Sequence, residues 1–509
     1  MKQIRAFFTL LLATIMYGLS TGEVACAQIM HTPVNTALGG GGTAYTTGYE
    51  SLFINPANLY IREKEYKLQI AAGSAGGFMS SPEKSRGIHD FLDGYRLQFQ
   101  QYQPVPEETG EGMNYERVLD RNFETDGLFS EHQSVGELHW IGMHWTHLDK
   151  SYAIAVRTRF ANRYLTGRGF YDPDPVEAGG YYQADRSLTH QFQSLHEFSF
   201  GYSESFTFIN RLIPQLSQLI IGIAPKFVLS GAYLNAQYKD RFRSDAGEAD
   251  YMRSRSYSRY SAGAFSSANQ RFPEGQSLPG AESGRLDLFR PAGAGAGLDL
   301  GLTYLITLGD DISVVRTESS RTRKSLRLSF SITDIGFVNY FDNPAEYTSP
   351  QRQSREDALP DRSDRVFRGK PGEDLFFLDR NGHFPLSESA SRKDDSFAVL
   401  LPTALHGGVL FQISRFKLMG DMSLGLTHNA FNSTRLTTYM GTEIRPLSFL
   451  PLRAGIRISS DLPDYYSIGA GIETGYFEVN ASLQIRNRSI GPANEIAGFS
   501  VGAVKIYIP

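Results

Sequence analysis

From Tyr66 onward, apolar and polar residues alternate with a period of two in blocks about ten residues long, the length a tilted strand needs to cross hydrocarbon. Fourteen such blocks predict strands at 66–78, 135–147, 152–165, 194–208, 218–238, 293–308, 325–337, 404–414, 416–427, 435–445, 452–459, 465–474, 477–485 and 498–508. In the block at 477–485, Phe477, Val479, Ala481, Leu483 and Ile485 interleave with Glu478, Asn480, Ser482 and Gln484, and only the first set suits lipid. Leu326, Leu328, Phe330 and Ile332 alternate in the same way with Arg327, Ser329, Ser331 and Thr333. Phe198, Phe200 and Tyr202 alternate with Glu197, Ser199, Gly201 and Ser203, and Glu204 breaks the pattern by falling on the apolar face. The block at 135–147 does not sort into two faces. Gly293, Gly295, Gly297, Asp299 and Gly301 fall on one face, which is expected to let the wall curve and to leave lumen volume.

The connections separate by parity. Those after the first, third, fifth and seventh blocks (79–134, 166–193, 239–292 and 338–403) span 56, 28, 54 and 66 residues, whereas those after the even blocks are short, such as 148–151 and 446–451. A closed barrel with long loops on one rim and tight turns on the other has this form; a soluble sandwich has no reason to sort its loops so. The expected fold is therefore all-β, a transmembrane antiparallel barrel of about 14 strands. The long loops mix Arg, Asp, Glu, Ser, Gly and Pro, as in 351–357, and read as solvated surface.

The N-terminus alters the picture of compartment. Lys2 and Arg5 precede an apolar run at 6–19, and Ala25 and Ala27 supply small residues before Gln28, so 1–27 reads as a secretory signal peptide. Lipid anchoring through Cys26 is the rival reading, but Glu23 stands where such a site wants an aliphatic residue. Cleavage removes the chain's single cysteine, so the exported protein relies on its sheet without disulfides. Domains are then expected at 1–27 (signal peptide), 28–65 (an N-terminal hatch or plug) and 66–509 (the barrel), placed in the outer membrane and in contact with its lipid.

Composition supports this class. Of 509 residues, 41 % are hydrophobic, and 50 Lys+Arg stand against 54 Asp+Glu, which leaves no basic footprint for nucleic acid. Removing Lys2, Arg5 and Glu23 moves the formal charge from −4 to −5.

Candidate chemistry is sparse. The run Gly39 to Gly42 before Thr43 lacks the Lys of a phosphate-cradling loop, and the glycines of 293–301 repeat within a strand pattern, so no nucleotide site is expected. His139 and His144 are five apart and His196-Glu197 has no second His four residues on, so no metal is assigned. Ser203 sits in a near match to the nucleophile elbow but no helix is expected after it, so no catalytic residue or cofactor is assigned and the protein is not expected to be an enzyme. Glu197, Asp299, Arg327, Asp421, Glu443, Arg453, Arg457 and Glu473 are expected to face the lumen, as a solute path or as a mutually neutralising network; the mixed signs favour the network.

Before the first strand, the small-residue run from Asn35 through Gly39, Gly40, Gly41 and Gly42 to Thr43-Ala44 is followed by Asn55-Pro56-Ala57-Asn58-Leu59. This pair resembles the N-terminal hatch of FadL-type long-chain fatty acid transporters and of the related PorV barrels of type IX secretion. Gly297 to Gly301, Ser331 to Gly336, Leu401-Pro402-Thr403 and the runs at 441–443, 452–455 and 467–471 match in the same order. The resemblance implies a fourteen-stranded barrel stopped by a hatch, in which Asn55, Pro56, Ala57, Leu59, Gly40 and Gly42 serve ligand binding or gating. It implies binding or passive transport of hydrophobic small molecules or, on the PorV side, a non-transporting surface barrel that partners envelope or secretion proteins. Read without the resemblance, Asn55-Pro56 is equally a rigid turn that starts the barrel.

Overall fold

The computed structural model describes residues 30–62, 66–80, 128–147, 150–170, 176–178, 181–206, 217–245, 250–263, 290–307, 324–357, 391–432, 434–459, 464–486, 495–502 and 504–508. The expected signal peptide and much of the loops at 79–134, 239–292 and 338–403 lie outside the described residues.

One antiparallel sheet closes on itself. Its wall strands are β1 (Leu68–Ser80), β2 (Phe129–His147), β3 (Lys150–Gly167), β4 (Leu188–Phe206), β5 (Ser217–Asp245), β6 (Gly293–Thr307), β7 (Lys324–Tyr340), β8 (Ala404–Ile413), β9 (Phe416–Gly425), β10 (Thr437–Leu447), β11 (Leu450–Ser459), β12 (Tyr465–Glu473), β13 (Phe477–Arg486) and β14, which is broken into Glu495–Val501 and Val504–Ile508. β1 closes the ring: Leu68 stands opposite Trp145 of β2 and Ile508 of β14, and Ala75 opposite Val501. The 14 crossings fall where the alternation predicts them, because in a wall with lipid on one side and packed polar residues on the other, a period-two pattern leaves one register. Along β13, Phe477, Val479, Ala481 and Leu483 are exposed outward and Glu478, Asn480, Ser482 and Gln484 are buried within. Glu204 is accommodated on the outer face because it accepts a hydrogen bond from the Tyr202 hydroxyl (2.5 Å) and lies 3.8 Å from Lys150.

Two bulges explain where alternation fails. In β2 the register with β3 slips between His139 and Ile141, so Trp140 and Ile141 both face outward and the inward set changes from odd to even positions. In β7 it slips between Ile332 and Ile335, with Asp334 at φ +59°, so Thr333 and Asp334 are both buried inward.

The spans read as solvated loops contain ordered sheet. β5 runs 29 residues to Asp245, and Tyr251–Ala262 pairs with it and with Ala345–Glu356, which in turn pairs with Ser391–Lys393. Another connection turns inward: in 426–432, which links β9 to β10, the Asn432 amide donates to the carbonyls of Pro402 (2.6 Å) and Thr403 (3.2 Å), and Phe431 is buried. Around it an apolar layer including Phe78, Leu195, Val228, Val338, Tyr340 and Tyr465 fills the lumen toward the long-loop rim.

Candidate functional site

Residues 30–61, the plug segment, lie against the inner wall of the barrel, nearly all of them buried. The short helix Pro33–Ala37 starts at Thr32, whose hydroxyl caps it, and two 3-10 turns follow at Gly48–Phe53 and Pro56–Tyr60. Gly40 (φ +103°) and Gly42 (φ +153°) take backbone conformations that a side chain would strain, and the space beside Gly42 is taken by Asn35 and Thr46. This bend presents the N–H groups of Gly42 and Thr43 to the carboxylate of Asp421 on β9, with Thr43 at 2.7 Å.

The Asn-Pro-Ala box is both a capped turn and a weld. Asn55 caps Pro56–Tyr60, its side-chain oxygen accepting from the Ala57 N–H (3.2 Å), while its amide donates to the Thr43 carbonyl (3.1 Å) and to Thr303 Oγ1 of β6 (3.0 Å). Asn58 donates to the carbonyls of Thr43 (2.8 Å) and Thr46 (3.0 Å) and accepts from Thr303 (2.7 Å). Ser203 Oγ donates to the Ala57 carbonyl (2.8 Å), and the Leu59 carbonyl pairs with His144 (2.9 Å).

Glycine on the inner wall makes this contact possible. The plug rests directly on Gly142, Gly201, Gly222, Gly301, Gly408 and Gly455: a Cβ at Gly301 would lie 2.8 Å from the Ala57 nitrogen, and one at Gly455 2.5 Å from that of Gly39. The expectation that glycine at 301 leaves open lumen volume is thus corrected, because plug backbone occupies the space. His31 sits at the plug's start, its N–H donating to Glu137 (2.8 Å) and its ring stacked on Phe78. Burial holds its imidazole down to about 4 against the attraction of Glu137.

Beyond the plug, toward the long-loop rim, lies a buried charged layer. Arg157 pairs with Glu137 (2.9 Å) and Glu197 (2.6 Å), Arg159 with Glu197 (2.5 Å) and Asp334 (2.8 Å), and Lys226 with Asp299 (2.8 Å) and Asp334 (2.5 Å). The Arg159 guanidinium stacks on Phe431 of the inward loop (4.9 Å). A second network joins Glu443 to Arg453 (2.7 Å) and Arg445 (2.9 Å), and Glu473 to Arg453 (2.5 Å), with the Tyr45 hydroxyl of the plug on Glu443. A third joins Lys505 to Glu50 (2.8 Å) and Glu478 (3.1 Å).

The structure therefore brings Glu443, Arg453 and Glu473 together and gives Asp299 a lysine. Arg327 is buried on the lumen face of β7. Arg457 does not join a neutralising network, which corrects its expected place there: none of its three guanidinium nitrogens has a hydrogen-bond partner. Arg157, Arg159, Glu137, Lys226 and Asp334 were not singled out from the sequence. Arg157 and Arg159 carried a signal, since charges two apart in a strand share one face.

The β4–β5 ladder is incomplete beside this layer. Pro225 of β5 offers no N–H, and the β4–β5 ladder runs from Ser199 opposite Lys226 to Tyr202 opposite Ile223 without pairing the two rungs between. On the outer side lies an apolar groove of about 560 Å³ lined by Ile141, Ile154, Phe198, Phe200, Pro225 and Phe227, and its floor includes Ser199, Lys226 and Gly297 of the lumen face. Gly201, which belongs to one of the missing rungs, and Gly222, one residue beyond the Tyr202–Ile223 rung, hold Leu52, Leu59 and Pro56 of the plug on their inner side.

Among solved structures, the chain is similar to the deltaS2S3 mutant of the TodX monoaromatic hydrocarbon channel (10 % identity over 94 % of this chain and 98 % of that chain, TM-score 0.42). It is similar also to the P. putida toluene transporter TodX (9 %, 94 % and 98 %, TM-score 0.39) and to a Pseudomonas aeruginosa FadL homologue (10 %, 95 % and 98 %, TM-score 0.24). No curated protein matches the sequence. A family model described as a family of unknown function, DUF5723, matches residues 169–483. That match covers more than half of the sequence, and the chain belongs to the DUF5723 family.

Proposed function

We propose that this protein is an outer-membrane channel, not an enzyme, that binds hydrophobic small molecules and passes them across the wall, with the plug of residues 30–61 as its gate. The observation that carries the reading is the groove at Pro225. It is apolar, opens toward lipid, reaches residues of the lumen face, and has the plug's Leu52, Leu59 and Pro56 directly behind it. Displacing the plug would uncover Gly201 and Gly222 and leave two unpaired rungs between lumen and groove. Transport would be passive, driven by the solute's preference for apolar surface.

The chain has no cysteine beyond Cys26, so single-cysteine labelling is clean. Phe227→Cys carrying a bulky apolar maleimide should cut uptake of an apolar fluorescent probe several-fold, whereas the same label at Phe330→Cys, on the lipid face of β7, should not. Equal uptake in the two labelled proteins would sink the groove reading. Deleting 35–59 should change uptake while leaving heat-modifiable migration intact, since the wall's ladders close without the plug.

A second reading, a surface barrel that partners envelope or secretion proteins, is favoured by the sheet of Tyr251–Ala262, Ala345–Glu356 and Ser391–Lys393, which extends past the wall and which a channel does not need. Trimming 239–292 or 338–403 would then abolish co-purification with other envelope proteins and leave uptake unchanged.

A further inference from the structure

Five buried cations of this barrel, Arg157, Arg159, Lys226, Arg453 and Lys505, each have a carboxylate within 3.1 Å. Arg457 of β11 departs from that pattern. It is 0 % exposed, and its Nε, Nη1 and Nη2 all lack a hydrogen-bond partner. Its guanidinium lies over the rings of Tyr465 (4.0 Å) and Phe78 (4.4 Å). Stacking on rings engages the flat face of the guanidinium, so the N–H groups left to satisfy point outward along its rim. Two further polar atoms of the same cluster are unpartnered: the Tyr465 hydroxyl, on the residue directly opposite Arg457 in the ladder, and Nε2 of His31, whose ring stacks on Phe78 at 6.1 Å between centroids.

A buried guanidinium without a partner is costly unless an anion completes it, and the planar fork matches a carboxylate through two parallel hydrogen bonds. We propose that Arg457, backed by Phe78 and Tyr465 and facing the start of the plug, anchors a buried binding site for a small carboxylate. The stacked rings give such a ligand apolar surface beside its charged end. The site is separate from the wall groove: it is built on β1, β11 and β12, whereas β2 to β6 line the groove. Blocking the groove would leave it intact.

The test uses the purified full-length barrel in detergent, with benzoate, acetate and the neutral isostere benzamide as probes at constant ionic strength. Benzoate should raise the temperature at which heat-modifiable migration is lost, saturably, and benzamide should not. Arg457→Gln should weaken benzoate binding, followed by saturation-transfer NMR, by about tenfold or more, with Arg457→Lys between the two because a point charge lacks the fork. Acetate matching benzoate would assign recognition to the carboxylate alone; weaker acetate would add the rings. The proposal fails if benzoate acts no better than benzamide on the unaltered protein, or if a folded Arg457→Gln barrel binds benzoate as well. The first comparison needs no variant and decides the matter even if Arg457→Gln does not fold.

Discussion

Replacing Asn55 with alanine should loosen the plug while sparing the wall. Asn55 is fully buried, and its side chain makes hydrogen bonds at 3.0, 3.1 and 3.2 Å to the wall hydroxyl of Thr303, the Thr43 carbonyl and the Ala57 N–H, with a longer one to Asn58 (3.5 Å) that adds little. A net hydrogen bond contributes about 0.5–1.5 kcal/mol, and losing an N-cap costs about 1 kcal/mol. Thr43 and Thr303 keep Asn58 as a partner, so neither is orphaned and the penalty stays near the sum of the bonds. The docked plug should lose about 3 kcal/mol, which raises its opening equilibrium about a hundredfold. Hydrogen exchange reads this directly: amides of 30–61 should exchange about a hundredfold faster, and those of β8 to β13 should not change. Thr303→Val removes the wall hydroxyl that accepts from Asn55 and donates to Asn58, and should give about 2 kcal/mol, or roughly a thirtyfold acceleration. A change under about threefold in the plug of Asn55→Ala, or equal acceleration in wall and plug, would refute the idea that this box welds plug to barrel.

Acid should release the plug through His31, whose imidazole is held at about 4 against an ordinary value of 6.5. Because the docked form resists the proton, docking is strongest above pH 6.5 and weakens as pH falls from 6.5 to 4, by at most about 3 kcal/mol. His31→Gln should flatten plug exchange across that window, and an unchanged pH profile in the variant would contradict it. Leu483→Arg, on the lipid face of β13, should cost about 2–4 kcal/mol in refolding from urea, and Phe477→Arg at the short-turn end of the same strand about 0–1 kcal/mol, since the cost falls away from the midplane. Equal costs at the two positions would mean that this face does not cross hydrocarbon.

Strand positions, their facing and the parity of the connections were legible in the sequence because each rests on local pattern: a wall between lipid and a packed interior forces alternation residue by residue. The Gly39 to Thr43 run and the Asn55-Pro56 turn were legible for a similar reason, since backbone conformation and capping are short-range properties. Tertiary structure alone decided what fills the lumen. The glycines of 293–301 read as curvature and empty space, yet Gly301, like Gly455, faces plug residues more than two hundred positions away in the chain. The block at 135–147 did not sort into two faces and Asp334 carried no signal; only ladder pairing shows the bulges at Trp140 and Asp334 as a change of face, the second sending Asp334 to Lys226 and Arg159. The inward course of 426–432 carried no pattern, because its partners at Pro402, Thr403 and Arg159 lie on other strands. Arg453 and Arg457 are indistinguishable in sequence, both charged and both on the inner face of β11. Whether a buried charge is paired depends on which strands the barrel's closure brings across from it; Arg453 meets Glu443 and Glu473, and Arg457 meets two aromatic rings.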